Sequence, residues 1–308
     1  MISFRFHIVS ITAVFLALAI GIGIGATVVD QATVETIEEQ LNNVSERADA
    51  TRRENDALQA DLDQWRRFGT DGGLELVRGR LDVPVVIVGV QGIDREPVDA
   101  LRQSLTAAGA QVQGAVWFTS RLELDSPGDV QALQGILGVT ASRPDILRRT
   151  TAARLATGFV PEREPTLLPA LRDARFVDYE APEGAPVDVA TIGAPGTFFV
   201  VVSAAVPDLP NDQVALPFVT TLVNALPNRV LAVEAGRAAS GDEPAVRAVF
   251  LAALRGDTDL APKLSTVDNL EDVRGRIAAV LALDALADGK TGHYGVAEGT
   301  RALPELSP

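Results

Sequence analysis

Residues 8–29 read IVSITAVFLALAIGIGIGATVV, 22 residues without a charge. As a helix this run is roughly 33 Å long, enough for a bilayer core of about 30 Å. Ser10, Thr12 and Thr27 are tolerated because a helical hydroxyl bonds back to a carbonyl one turn earlier. Arg5 precedes the run, and Asp30, Glu35, Glu38 and Glu39 follow it. Basic residues in short flanks favour the cytoplasmic side. The expected arrangement is therefore a single pass through the inner (plasma) membrane. The N-terminus is cytoplasmic, the remainder is extracytoplasmic, and the outer membrane is the less favoured location. A cleaved signal peptide is the rival reading, but the run is long for that role, and Ile24 stands where a site ending at Ala26 wants a small residue. Ala13, Ala17, Gly21 and Gly25 recur at every fourth position and form a narrow face on which two membrane helices can approach closely. Gly and Ala are also simply common in membrane helices.

Beyond the run, Val34, Ile37, Leu41, Val44, Ala48, Thr51, Asn55, Leu58, Leu62 and Trp65 follow one another in alternating steps of three and four. That is the a/d seam of a coiled coil, whose 3.5-residue repeat keeps one stripe toward a partner. Ala48, Thr51 and Asn55 weaken its middle, and an amide at an a position fixes register at a cost in stability. Asp61 and Arg66 suit an interchain g–e′ pair in a parallel dimer, whereas Arg47 and Arg52 are like-charged in the same scheme. Two tethered copies pair in parallel, and a parallel homodimer is the expectation. Another oligomer, or a coil with a different membrane protein, is the alternative. A helix lying on its own globular domain would show a wider stripe. Gly69, Gly72 and Gly73 are expected to stop or loosen the helix. The plan is thus a stub at 1–7, a span at 8–29, a coil at 30–68, a linker at 69–82, an exported domain at 83–302 and a flexible tail at 303–308.

The exported domain alternates strands and helices. Val83–Val90 and Thr197–Ala204 (TFFVVVSA) are continuous apolar runs of the kind buried on both faces of a sheet. Val112–Phe118, Arg175–Tyr179 and Arg229–Glu234 read as further strands. Helices are expected at Pro97–Ala108 with Gly109 as C-terminal cap, at Val130–Leu137, Asp145–Thr157, Gln213–Leu226 (kinked at Pro217), Pro244–Leu254 and Glu271–Ala287. The expected fold class is α/β, a mostly parallel sheet flanked by helices and Rossmann-like in architecture. Proline-rich residues near 160–190 mark a break that permits two lobes. The first strand ends in Gly89-Val-Gln-Gly-Ile-Asp94, which lacks both the dinucleotide pattern G-x-G-x-x-G and a phosphate-loop Lys. Gly89 and Gly92 read as a tight turn, and Asp94 as a helix cap or an exposed residue.

Catalytic signatures are missing. Cysteine is absent, so there is no disulfide and no thiolate. Of two histidines, His7 lies at the membrane edge and His293 in Thr291-Gly-His-Tyr-Gly295, too few to select a Ser-His-Asp arrangement. His293, Tyr294, Asp268 and Asn269 are candidates for a structural or partner-binding site. Asp257, Asp259, Asp268, Glu271 and Asp272 do not have calcium-loop spacing. Asp268 or Asn269 is instead expected to cap the helix that begins near Glu271. No cofactor, metal or catalytic residue is expected, and the chain reads as non-enzymatic. Cu(I) prefers thiolate and thioether ligands, and the single Met is Met1. With 27 basic against 41 acidic residues, nucleic acid is a poor partner.

The opening MISFRFHIVSITAVFLALAIGIGIGATVV, the segment Ser265-Thr-Val-Asp-Asn269 with the helix through Ala287, and Gly292-His-Tyr-Gly295 resemble the actinobacterial MctB family across essentially the whole chain. That family is described as a copper transport outer-membrane protein. It also includes the corynebacterial SteB protein, which pairs with SteA in cell separation through control of peptidoglycan hydrolysis. The resemblance implies either copper efflux through a channel or a membrane-anchored regulator with a SteA-like partner. It supplies no catalytic residue. A pore would need a closed barrel of alternating strands, whereas a regulator needs an anchor, a pairing coil and an exported domain. The sequence pattern favours the second.

Overall fold

A computed structural model describes residues 4–161, 167–182, 184–185, 192–236 and 249–305, with the side chains at 26–36, 38, 65, 66, 68, 70, 71 and 74 also outside the description. The chain divides into two compact units, Met1–Trp65 and Arg66–Pro308.

The first unit is helical and belongs to α1 (Phe4–Val77). Within α1, Phe4–Gly25 is long and apolar enough to cross a membrane, with a mean hydropathy of 2.4 and none of it buried inside the chain. Thr12 Oγ1 donates to Ile8 O at 2.8 Å, so the hydroxyl is satisfied within the helix.

The second unit is built on one seven-stranded sheet. Its elements are β1 (Pro84–Val90), α2 (Arg95–Ala107), β2 (Gln111–Phe118), α3 (Pro127–Leu137), α4 (Pro144–Gly158), α5 (Leu168–Asp173), β3 (Val177–Glu180), β4 (Phe198–Ala204), α6 (Ala215–Ala225), β5 (Val230–Ala235), α7 (Val249–Gly256), β6 (Ser265–Val267), α8 (Val273–Ala287) and β7 (His293–Tyr294). The strand order is β3-β2-β1-β4-β5-β6-β7. All pairings are parallel except β2 with β3. Alternate residues of β1 feed two cores. Val86, Val88 and Val90 face one with α3 to α7. Val85 and Ile87 face the other with α2, α8 and Val77. Both faces are thus covered by helices, as parallel sheets require. Strands from before and after residues 160–190 meet directly where β1 pairs with β4.

Several local expectations change. Gly69, Gly72 and Gly73 do not stop α1, which continues to Val77. A Cβ at Gly69 would lie 2.5 Å from Val273 Cγ1, and one at Gly73 2.8 Å from Ile277 Cδ1. The missing side chains let α1 and α8 approach closely, which offsets the helix propensity lost to glycine. Gly89 is not in a turn but inside β1, where the Trp117 ring lies over it. Gly92 is in the turn, at φ 92°. Pro217 falls in the first turn of α6, which starts at Ala215, and not in a helix interior, so no N–H is needed from it. Neither Asp268 nor Asn269 caps α8; Asp272 does, accepting from Arg274 N at 2.8 Å. Asp94 caps α2 by accepting from Glu96 N, and Gly109, at φ 97°, follows its C-terminus. The strands β6 and β7 were not anticipated. The first part of the helix expected at Pro244–Leu254 lies outside the described residues, where α7 begins at Val249.

Candidate functional site

β6 and the residues after it carry the polar centre of the domain. Ser265, Thr266, Asp268 and Asn269 are all buried. Arg255, in the last turn of α7, reaches across and organises them. Its Nε donates to Thr266 Oγ1 at 2.8 Å, its Nη1 to Asp268 Oδ2 at 2.9 Å, and its Nη2 to Tyr294 O at 3.2 Å. Asp268 Oδ1 also accepts from Val296 N at 2.7 Å. A Cβ at Gly295, whose φ is 133°, would collide with this carboxylate. Gly292 is open for the Tyr294 ring in the same way. Gly295 therefore lets the chain after β7 close over Asp268, and Gly292 leaves room for the Tyr294 ring.

Of the four candidates, Asp268, His293 and Tyr294 come together through Arg255. Asn269 does not join them. Its carbonyl packs on Gly275, and its buried Oδ1 has no hydrogen-bond partner among the described residues.

His293 Nδ1 lies 3.0 Å from Thr266 Oγ1. That oxygen also accepts from Arg255, and its proton is free to go to Nδ1 of a ring that carries its own proton on Nε2. Burial, and then the charge of Arg255, hold the His293 pKa below its usual value. A hydroxyl beside an imidazole has the outline of a nucleophile and its base. Thr266, however, has 0% exposure, so no substrate carbon reaches its Oγ1. The chemistry of this cluster is cohesion: a buried charge pair with its remaining valences satisfied.

Glu234, at the end of β5, is a second buried carboxylate that the sequence reading missed. It accepts from the backbone N–H groups of Val249, Phe250 and Leu251 at 3.0, 2.7 and 3.2 Å. Negative charge at a helix N-terminus is stabilising. Its signal was an acid within the apolar run Val230–Ala235. Arg255 gave no signal, since an Arg ending a helix is ordinary.

The strand order reverses between β1 and β4, the place where open α/β sheets receive ligands. Here the Asp208 carboxylate lies over Gly92, with Asp94 and Glu96 opening α2. Carboxylates stand where a phosphate would approach the helix, which opposes anion binding. The acidic residues at 257–272 are dispersed among separate duties. Asp257 accepts from Leu260 N, Asp268 binds Arg255, Glu271 accepts from Gly236 N, and Asp272 caps α8. Among the described residues no three His, Cys, Asp or Glu side chains are grouped to hold a metal ion.

The residues expected to mediate assembly lie on α1. Ile37, Leu41, Val44, Leu58 and Leu62 are each about half to two-thirds exposed, and Asn55 is exposed beside them. The side chains of Val34 and Trp65 are outside the described residues. Ala13, Ala17, Gly21 and Gly25 are exposed, and a Cβ at either glycine would meet nothing within 4 Å.

A family model described as "Copper transport outer membrane protein, MctB" matches residues 1–304. The chain is 28% identical over 324 residues to the Copper transporter MctB of Mycobacterium bovis, covering 98% of this chain and 99% of that one. The Copper transporter MctB of Mycobacterium tuberculosis matches at the same identity and coverage. That of Mycobacterium leprae is 26% identical over the same span.

Proposed function

The chain belongs to the MctB family, and from that premise we propose that it is a non-enzymatic, membrane-anchored assembly subunit of the cell envelope. Its anchor sits in the plasma membrane with the N-terminus cytoplasmic. A coiled coil on α1 pairs it with a second copy, and the exported α/β domain presents a surface to a SteA-like partner in cell separation and control of peptidoglycan hydrolysis. The observation that carries this reading is the row of apolar side chains at Ile37, Leu41, Val44, Leu58 and Leu62, each about half to two-thirds exposed among the described residues. A stripe with 3.5-residue periodicity on an otherwise polar helix is stable only against another helix. The occupant is a second copy because the same helix carries the membrane span. Two copies in one membrane present identical stripes in the same direction, with Asp61 opposite Arg66 of the other.

The sheet supports an anchored role over a pore. Transmembrane barrels need a closed set of strands with one face toward lipid, whereas this sheet has two edges and helices on both faces.

Copper export is the second reading, favoured by the name that the mycobacterial relatives carry. Without Cys and with Met1 alone, the chain lacks the soft ligands of a Cu(I) site. In this reading it acts through an oligomer or a partner.

Membrane crosslinking followed by recovery of partners tests the assembly role, comparing the natural chain with Leu58→Glu/Leu62→Glu. Loss of self-association and of partners is expected. Recovery of the same set from both chains overturns the proposal. Stoichiometric Cu(I) binding in a titration of the purified chain would instead support the copper reading.

A further inference from the structure

Halfway along the seam the residues change character. Ala48 and Thr51 take an a and a d position where larger apolar groups stand on either side, and Asn55 follows. Arg47 precedes this layer at a g position and Arg52 follows it at an e position. In a parallel, in-register pair, Arg47 of each copy falls opposite Arg52 of the other, so four guanidiniums ring a core of small residues.

Other charged groups on this stretch leave most of that charge in place. Arg52 Nη1 is 3.3 Å from Asp49 Oδ1 with both side chains mostly exposed, a contact that water screens. Arg53 Nε donates to Asp49 O. Glu46, Asp49, Arg53 and Asp56 occupy b and f positions, away from the seam. Glu54, at g, faces Gln59 of the other copy. Among the described residues Arg47 makes no ion pair.

On the pairing reading above, we propose that each Arg47–Arg52 pair across the dimer is a site for a tetrahedral oxyanion of the phosphate class, and that each site is incomplete without the second copy. Two planar guanidinium forks converging on one oxyanion match its geometry bidentately and turn a repulsion into a bridge. The small Ala48 and Thr51 side chains let the two backbones approach, which brings the forks together. The source of the phosphate is not the lipid headgroup. Arg47 is 22 residues beyond Gly25, roughly 33 Å along the helix, several times the thickness of a headgroup layer. The ligand is phosphate in the compartment that holds the stalk, and its consequence is tighter pairing when that phosphate is present.

The absence of cysteine makes the test direct. Leu58→Cys gives the full chain one thiol at a seam position. The chain is reconstituted in phosphatidylcholine vesicles and treated with a short bismaleimide while inorganic phosphate replaces chloride at constant ionic strength. A several-fold rise in crosslinked dimer is expected with phosphate. Adding Arg47→Gln/Arg52→Gln is expected to give ready crosslinking in chloride and no response to phosphate. Equal crosslinking in the two buffers, or a response that survives the double substitution, overturns the oxyanion site and leaves the pairing intact. So does a response that appears only when phosphatidylglycerol is in the vesicle. Failure of Leu58→Cys to crosslink under any of these conditions removes the pairing itself, and the site with it.

Discussion

Arg255 and Asp268 form an ion pair inside the domain, Nη1 to Oδ2 at 2.9 Å, with side chains 14% and 0% exposed. Two sequence-distant segments, the end of α7 and the end of β6, are thereby fixed to β7. The pair is not equivalent to an apolar contact of the same size. Asp268 also satisfies the Val296 N–H, and Arg255 the Thr266 hydroxyl and the Tyr294 carbonyl.

Removing the cation alone should therefore be costly. Arg255→Met is expected to lower unfolding stability by about 3–5 kcal/mol, because it strands a buried carboxylate. Adding Asp268→Leu should recover only part of the loss, since the Val296 N–H is then orphaned. Denaturant midpoints followed by fluorescence of the buried Trp117 measure both. An Arg255→Met variant as stable as the natural chain would show that the pair contributes little cohesion.

Glu234 gives a related expectation with the opposite geometry, a carboxylate facing three backbone donors. Glu234→Ala should cost at least about 2 kcal/mol, as hydrogen bonds to a charged group are each worth roughly 1.5–3 and are not fully additive. Loss of amide protection in hydrogen exchange should concentrate at Val249, Phe250 and Leu251. Uniform loss across the sheet would indicate general unfolding rather than release of α7.

The main features legible in the sequence were those with long continuous signals. The uncharged run at 8–29 declares a long apolar helix, and Val83–Val90 and Thr197–Ala204 announce central strands by unbroken apolar composition. β6 and β7 were missed because three and two residues hold no period. Gly69 and Gly73 misled because a helix-breaking residue and a helix-packing residue are the same residue, and only the opposing Val273 and Ile277 tell them apart. The candidate site was half visible. Asp268 stands in the Ser265–Asn269 segment and His293 and Tyr294 in Gly292–Gly295, but Arg255, which unites the two segments, comes from another element and has no local signature.

The ring of His293 sets a pH dependence whose sign follows from its environment. Its pKa in the folded chain lies below the unfolded value of 6.5, first through burial and then through Arg255. Between the two values the unfolded chain carries the proton and the folded chain does not. Stability therefore rises with pH across that window, and the contribution is complete above about 6.5. It is lost as pH falls toward the folded pKa. The carboxylate of Glu180, held below its usual range chiefly by its hydrogen bond from Arg102, acts in the same direction. Its window lies lower, under the ordinary glutamate value of 4.5. His293→Asn should flatten the profile near pH 6 and leave the acid limb unchanged. A slope near pH 6 that persists in His293→Asn would assign it to another group.

Gly73 and Gly135 both sit inside helices, and the same substitution should move them in opposite directions. At Gly135 in α3 a Cβ would meet nothing within 4 Å. Gly135→Ala should therefore stabilise by about 0.5–1 kcal/mol, the difference in helix propensity. At Gly73 the Cβ would lie 2.8 Å from Ile277 Cδ1. Either Ile277 leaves its rotamer or the helices part, and overpacking of this kind costs about 1–3 kcal/mol. That exceeds the propensity gain, so Gly73→Ala should destabilise. Pairing it with Ile277→Val removes the methyl group in the way and should restore stability toward the natural chain. Stabilisation by Gly73→Ala alone would mean that α1 does not press on α8 at this turn. In that case the glycine has no packing role, and the reading of residues 69–73 as a loosened stretch would stand.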